Sequence, residues 1–220
     1  MLAMKHISAA VVIGSLLLGG CTSKVADTKD YSGFLSDYSK LHKAESASGQ
    51  EVLRWVDPSF KAQNYQNLYY EPIVYYPTPK PNAQVTQQTL DQVLAYTNQN
   101  IKAAFGQRLN LVNSAKTPNT LIFRGAITGV AASTEGLQFY EVIPVALVIA
   151  GTMAATGERD QDTTLLFEGQ LIDASTGKTV FEVVRKGFGK QLSNDSQKVT
   201  AEDLKKIVTD MASDIQRYRE

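Results

Sequence analysis

The amino-acid sequence predicts an α+β fold: a single domain with one mixed or mainly antiparallel sheet and helices packed on it, preceded by a cleaved lipoprotein signal peptide. Three observations carry this expectation. Two segments repeat apolar residues at three- and four-residue spacing. Several shorter ones alternate, or are rich in β-branched and aromatic residues. The first twenty residues have the layout of an export leader.

In the leader, Lys5 supplies a positive start, with Met4 as a second candidate for initiation, and Ile7 to Leu18 form the apolar run. A bilayer span needs about 20 apolar residues, so this shorter run, closed by two glycines, reads as a cleaved signal. No Asp or Glu occurs before Asp27. Leu18-Gly19-Gly20-Cys21 resembles the lipobox of bacterial lipoproteins, whose cysteine is acylated on sulfur and, after cleavage, on its new amine. The alternative is an ordinary secretory signal with an incidental cysteine. Cys21 is the only cysteine in the chain. Lipoproteins of this type stay at the inner membrane when Asp follows the cysteine. Here Thr22 and Ser23 follow, which implies a lipid anchor in the outer membrane with the domain facing the periplasm. The expected boundaries are 1–20 for the signal peptide, 21–32 for a lipidated tether and 33–220 for the periplasmic domain.

Phe34, Leu35, Tyr38 and Leu41 are the first apolar anchors of the domain. Glu51 to Pro58 reads as a strand stopped by Asp-Pro. Asn67 to Pro77, aromatic and β-branched, reads as a second strand, with Pro72 placing it at an edge or bulge. From Thr86 to Phe105, Leu90, Val93, Leu94, Ile101 and Phe105 recur at helical spacing, and Gly106 stands as a C-cap. Asn119 to Val130 alternates, with Leu121, Phe123 and Ile127 on one face and Arg124 and Thr128 on the other, as a central strand does. Leu137 to Thr156 is the most apolar stretch beyond the leader. Glu141 and Pro144 leave it too short to span a membrane, so it reads as a buried helix or crossover, or as an exposed patch for a partner or lipid. Thr163 to Gly189 reads as two strands joined by a glycine-bearing turn. A last helix opens at Thr200 with Asp203 near its start and carries the stripe Leu204, Ile207, Val208, Met211, Ile215 and Tyr218.

Composition narrows the function. Removing the leader takes away Lys5 and leaves 21 basic against 22 acidic residues, with no basic excess to suggest nucleic acid. With Cys21 committed to lipid there is no thiol for a disulfide or a metal. His42 is the only histidine beyond the leader, which excludes a multi-histidine metal site. No cofactor motif stands out. Ile172 to Thr179, "IDASTGKT", falls one residue short of a phosphate-binding loop and is followed by strand-like "TVFEVV" instead of a helix. It reads as a hairpin turn in which Gly177 takes the positive φ. Ser175 and Lys178 share the Ser-x-x-Lys spacing of penicillin-interacting enzymes, but a turn does not bring the two side chains together as a helix would. Asp37, Glu45, Asp57, Glu71, Asp91, Glu141, Glu168 and Asp173 are scattered, and no acid/base pair can be assembled from them by spacing. Tyr69, Tyr70, Tyr75 and Tyr76, with Tyr65 nearby, are either strand packing or a ring platform for a ligand or partner such as glycan.

Taken along the chain, the lipobox, "SGFLSDYSKL", "WVDPSFKAQNYQNLYYEPI" and "LIDASTGKTVFEV" resemble the bacterial lipoprotein family called domain of unknown function 3313. The most specific pieces are Gly33 to Tyr38 and Trp55 to Pro58, with Tyr65, Glu71 and Pro72 after them. The resemblance implies an envelope lipoprotein and supplies no catalytic residues. The leading expectation is a non-enzymatic interaction or accessory protein held to the membrane by acyl chains on Cys21, with an envelope protein as partner. The alternative is a peptidoglycan- or glycan-binding protein, or a cell-wall enzyme, using the tyrosine-rich strand. A buried acyl chain contributes about 0.8 kcal/mol per methylene, and stable anchoring needs more than one chain. Cys21→Ser is therefore expected to move the protein from the membrane pellet to the soluble fraction. Retention in the pellet refutes the lipid anchor.

Overall fold

A computed structural model describes residues 25, 26, 28, 31–134, 148–149, 161–194 and 196–219. The leader with Cys21, and 137–156 apart from Val148 and Ile149, lie outside the described residues. Strands β1 (His42–Glu45), β2 (Glu51–Val56), β3 (Asn67–Tyr70) and β4 (Val74–Tyr75) precede helix α1 (Gln87–Gly106). Then come β5 (Asn110–Val112), β6 (Thr120–Thr134), β7 (Val148–Ile149), β8 (Gln161–Asp173), β9 (Thr179–Leu192) and helix α2 (Ala201–Arg217). The strands form one sheet in the order β1-β2-β9-β8-β6-β3-β5, with β4 and β7 also paired to β6. From β1 to β6 every pairing is antiparallel. The far edge of β6 takes β3, β4 and β7 in parallel, one after another along its length. The sheet is thus mixed and mainly antiparallel, as the alternating segments imply.

Local chemistry accounts for the breaks. Pro72 lacks a donor and separates β3 from β4, which explains why the predicted single strand arrives as two short ones. The β8–β9 connection is the expected turn. Asp173 Oδ1 accepts from Ser175 N at 2.7 Å and Thr176 N at 3.1 Å, and Gly177 has φ +71°. Thr86 opens α1 by accepting from Thr89 N at 3.2 Å. The helix runs one residue past its expected end: Gly106 is helical and Gln107 caps it in right-handed conformation. Gly106 is small for a different reason, since a Cβ there would lie 3.3 Å from Leu111 Cδ1. At α2, the Thr200 amide donates to Asp203 Oδ2 at 2.8 Å. β1 and β5 escaped the sequence reading because each is short and lies at an edge, with no buried residue in its pattern. Val148–Ile149 is strand, so at least that part of the apolar 137–156 stretch is not helix.

Both faces of the sheet are covered. On one, Leu121, Phe123, Ile127, Leu165 and Phe167 meet Leu90, Val93, Ile101 and Phe105 of α1 and Leu204, Ile207 and Met211 of α2 in a single core. On the other, the described residues before β1 lie across the sheet as a strap. Val25, Ala26 and Leu35 are buried with Leu53 and Val184, and Tyr31, Phe34, Tyr38 and Leu41 pack around them. Val25 and Ala26 fall inside the segment that reads as a polar tether, yet they are 4% and 6% exposed. Helix α2 lies close against β9 because the strand offers it glycines. A Cβ on Gly187 would overlap the Ile207 side chain, and one on Gly189 would overlap the Asp203 carbonyl oxygen. Overpacking a filled core typically costs about 1–3 kcal/mol. Gly187→Ala is accordingly expected to destabilise the domain by about that amount, read as a lower midpoint in chemical or thermal unfolding.

Candidate functional site

Helices α1 and α2 and the sheet do not meet everywhere. Between the end of α1, the second half of α2 and strands β2, β6, β8 and β9 lies a cavity of about 570 Å³, within the size range of small-molecule sites, about 300–1,000 Å³. Alternation places its walls. On β2, Val52 and Arg54 face the cavity while Leu53 joins the strap on the opposite face. On β9, Phe181, Val183 and Arg185 face in while Val184 faces the strap. Phe123, Phe167, Ile101, Phe105 and Met211 supply apolar wall beneath the helices. Ala47, Gln63, Arg108 and Arg219 are exposed and also line it, so it runs from the surface into the core.

The charged residues of the lining are four arginines, Arg54, Arg108, Arg185 and Arg219, and one carboxylate, Asp214. Arg185 is 5% exposed, and its Nη1 donates to Asp214 Oδ2. The other Asp214 oxygen accepts from the backbone of Ser48 at 2.5 Å, which ties the β1–β2 turn to α2. Arg185 Nε is buried and has no hydrogen-bond partner among the described residues, a costly state for a charged group. Arg54 is a cross-strand neighbour, paired in register with Val183, and its guanidinium stands 5.9 Å from the centre of the Tyr218 ring. Phe181 meets the same ring edge-on at 5.7 Å. Arg108 donates to the carbonyls of Ile215 at 2.8 Å and Tyr218 at 2.7 Å, holding the negative end of α2 in place. The lining joins an apolar interior to guanidinium groups. The lining contains no histidine or cysteine, and no group of three metal-ligating side chains occurs among the described residues. The sequence gives no hint of this site, because Arg54 and Arg185 come together only through the β2–β9 pairing.

The tyrosines singled out by the sequence divide between two directions. Tyr70 stacks on Phe123 with ring centres 5.1 Å apart and donates to Asn98 Oδ1 at 3.1 Å. Tyr75 donates to the Leu90 carbonyl of α1 at 2.8 Å. Burial pushes the phenols of both upward in pKa. Tyr69 is half-buried and alternates with Tyr70. Tyr76 is 42% exposed and meets Phe34 of the strap edge-on at 5.7 Å. The four therefore do not form one platform: Tyr70 and Tyr75 serve the helix layer, and Tyr76 borders the strap. Cys21 lies outside the described residues. His42 is an exposed residue of β1.

The residues that carry the family resemblance act as fasteners. Gly33 takes φ +87°, and the Tyr38 hydroxyl accepts from Gly33 N at 2.9 Å and Leu35 N at 3.2 Å. The same hydroxyl donates to Glu168 Oε2 at 2.6 Å. Glu168 is fully buried in β8, and its other oxygen accepts from Ser32 N at 2.9 Å. Tyr31 stacks on Tyr38 at 4.3 Å. Asp57 turns the chain after β2 by accepting from Ser59 N at 2.7 Å, Lys40 sits 4.7 Å over the Trp55 ring, and Tyr65 donates to Asp173 Oδ2 in the β8–β9 turn at 2.8 Å. Glu71 and Arg124 form a two-bonded pair at 2.8 and 3.2 Å.

The family model described as "Protein of unknown function (DUF3313)" matches residues 30–215. The uncharacterized lipoprotein YdcL of Escherichia coli K12 is 55% identical over 205 residues, 93% of this chain and 92% of its own, and YdcL of strain O157:H7 matches to the same extent. Among solved structures, the PelC dodecamer from Paraburkholderia phytofirmans is 11% identical with a TM-score of 0.38, over 76% of this chain and 98% of its own. A putative neuraminyllactose-binding hemagglutinin homolog from Helicobacter pylori is 7% identical with a TM-score of 0.35, over 79% and 87%.

The strap carries a pH signature. Burial first, and the Glu168 carboxyl second, push the Tyr38 phenol from its ordinary 10 up to about 12. Burial and Asp173 do the same to Tyr65. A phenol whose pKa is raised by folding contributes stability that is complete below pH 10 and is lost as pH rises through about 12. The unfolding midpoint is expected to fall across that window. In Tyr38→Phe the midpoint at neutral pH is lower and the alkaline slope shallower, as thermal melts at stepped pH would read. An unchanged slope contradicts the assignment.

Proposed function

The chain belongs to the DUF3313 family of proteins of unknown function, and from that premise we propose a lipid-anchored, non-enzymatic accessory or interaction role in the cell envelope. The anchor is Cys21, and the address is the periplasmic face of the outer membrane. The observation that carries this reading is the strap. Val25 is already buried against the sheet, four residues after Cys21, and an extended chain covers at most about 3.6 Å per residue. A lipid on Cys21 therefore holds the folded domain within about 14 Å of the point of attachment, as suits a protein that works at the membrane surface. Thr22 in place of Asp supports the outer-membrane address, and the 55% identical lipoprotein YdcL supports the anchor. The near-balance of charge supports a protein partner over nucleic acid.

Density-gradient separation of membranes from cells making the full chain tests the address. The protein is expected with the outer membrane, and Thr22→Asp is expected to move it to the inner membrane. An unchanged distribution in the variant, or an inner-membrane location for the parent, overturns the address. Sedimentation of the protein with purified peptidoglycan tests the accessory reading against the glycan one, and co-sedimentation would favour the latter.

A further inference from the structure

We propose that the cavity between the helices and the sheet is a binding site for a single-chain anionic amphiphile: one acyl chain carrying a carboxylate or phosphate. Three features point to this class. The space is about 570 Å³ and its deep wall is made by Phe123, Phe167, Phe105 and Met211, which favours an apolar chain and offers little to a sugar or a nucleotide. Two of the charges, Arg54 of β2 and Arg185 of β9, face the cavity from adjacent strands. Four guanidinium groups against one carboxylate in the lining favour an acid. The third feature is Arg185 itself. It is 95% withdrawn from solvent, being 5% exposed; Nη1 is taken by Asp214, and Nε has no partner among the described residues. A buried guanidinium with an unpartnered N–H beside an apolar cavity is a preformed donor to an anionic head. The head sits at Arg185 and Arg54, and the chain runs between the sheet and the helices toward Phe123. The exposed rim at Ala47, Gln63 and Arg219 is the way in.

The site is independent of the membrane address, so a failed fractionation leaves it standing and a failed binding test leaves the address standing. The test uses the full lipidated chain in phosphatidylcholine nanodiscs, with a diazirine-bearing palmitate as probe and peptide mass spectrometry to place the adducts. Adducts are expected on cavity-lining peptides of β8, β9 and α2. Excess palmitate or lysophosphatidic acid should suppress them at least tenfold, while hexadecanol, with the same chain and no charge, should not. Suppression by palmitate alone identifies a carboxylate head, and by lysophosphatidic acid alone a phosphate head. Two variants, each checked for folding by circular dichroism melts, complete the test. Val183→Trp fills the cavity without removing a polar contact and should abolish labelling. Arg185→Gln combined with Asp214→Asn keeps the pair's shape without its charge and should lower labelling about tenfold. Adducts only outside the cavity, no adducts at all, equal competition by hexadecanol, or full labelling of folded Val183→Trp each overturn the proposal.

Discussion

A sheet with two apolar faces must be covered twice, and that constraint organises this protein. Strand β8 lies at its centre and is buried along most of its length, so neither side can face water. Residues of one parity, Leu165 and Phe167, belong to the helix-side core. The opposite side is closed by a strap that begins at Val25. The closure centres on Glu168, a fully buried carboxyl group that would be costly there without partners. Ser32 and Tyr38 supply them. One acidic residue in the sheet thus specifies where the strap must lie, and burial of Leu35, Leu53 and Val184 makes the placement favourable.

The helix layer is positioned by a different device. Gly187 and Gly189 of β9 leave room for Ile207 and for the α2 backbone at Asp203, which brings the first half of α2 down onto the sheet. Farther along, bulky and charged residues, Phe181 and Arg185, replace the glycines, and the cavity opens. Close approach at one end and separation at the other are two parts of one arrangement. Arg108, bonded to the carbonyls of Ile215 and of the cap residue Tyr218, ties the end of α2 to the end of α1.

How much of this is legible in the sequence depends on the range of the interaction. The helices were plain, because Leu90 to Phe105 and Leu204 to Ile215 repeat within one element. The β8–β9 turn was equally plain, because Asp173, Ser175 and Gly177 act on one another locally. The split of β3 from β4 could be placed at Pro72. The strap could not be read as such: Phe34, Leu35 and Tyr38 announce burial but not the face they cover, and Glu168 looks like any other strand carboxylate until the fold brings Tyr38 to it. Arg54 and Arg185, 131 positions apart in the chain, meet by strand pairing alone. Even the tyrosine cluster, dense in sequence, is dispersed by the two-residue period of strands, which sends Tyr69 and Tyr70 to opposite faces. The residues that carry the family resemblance prove to hold the fold together, whereas the charged residues of the cavity, Arg54, Arg108, Arg185 and Asp214, draw no notice in the sequence.

Burial of Val25 against the sheet has a geometric consequence. A lipid on Cys21 would attach the domain through the strapped face, leaving few ways for it to turn. The back of the sheet would lie toward the bilayer, and α1 and α2 would point the other way. Force applied through such an anchor would enter the fold at the strap and load Leu35 and the Tyr38–Glu168 bond before it reached the helices. The helix layer and its cavity would be shielded from that load by the full width of a hydrogen-bonded sheet.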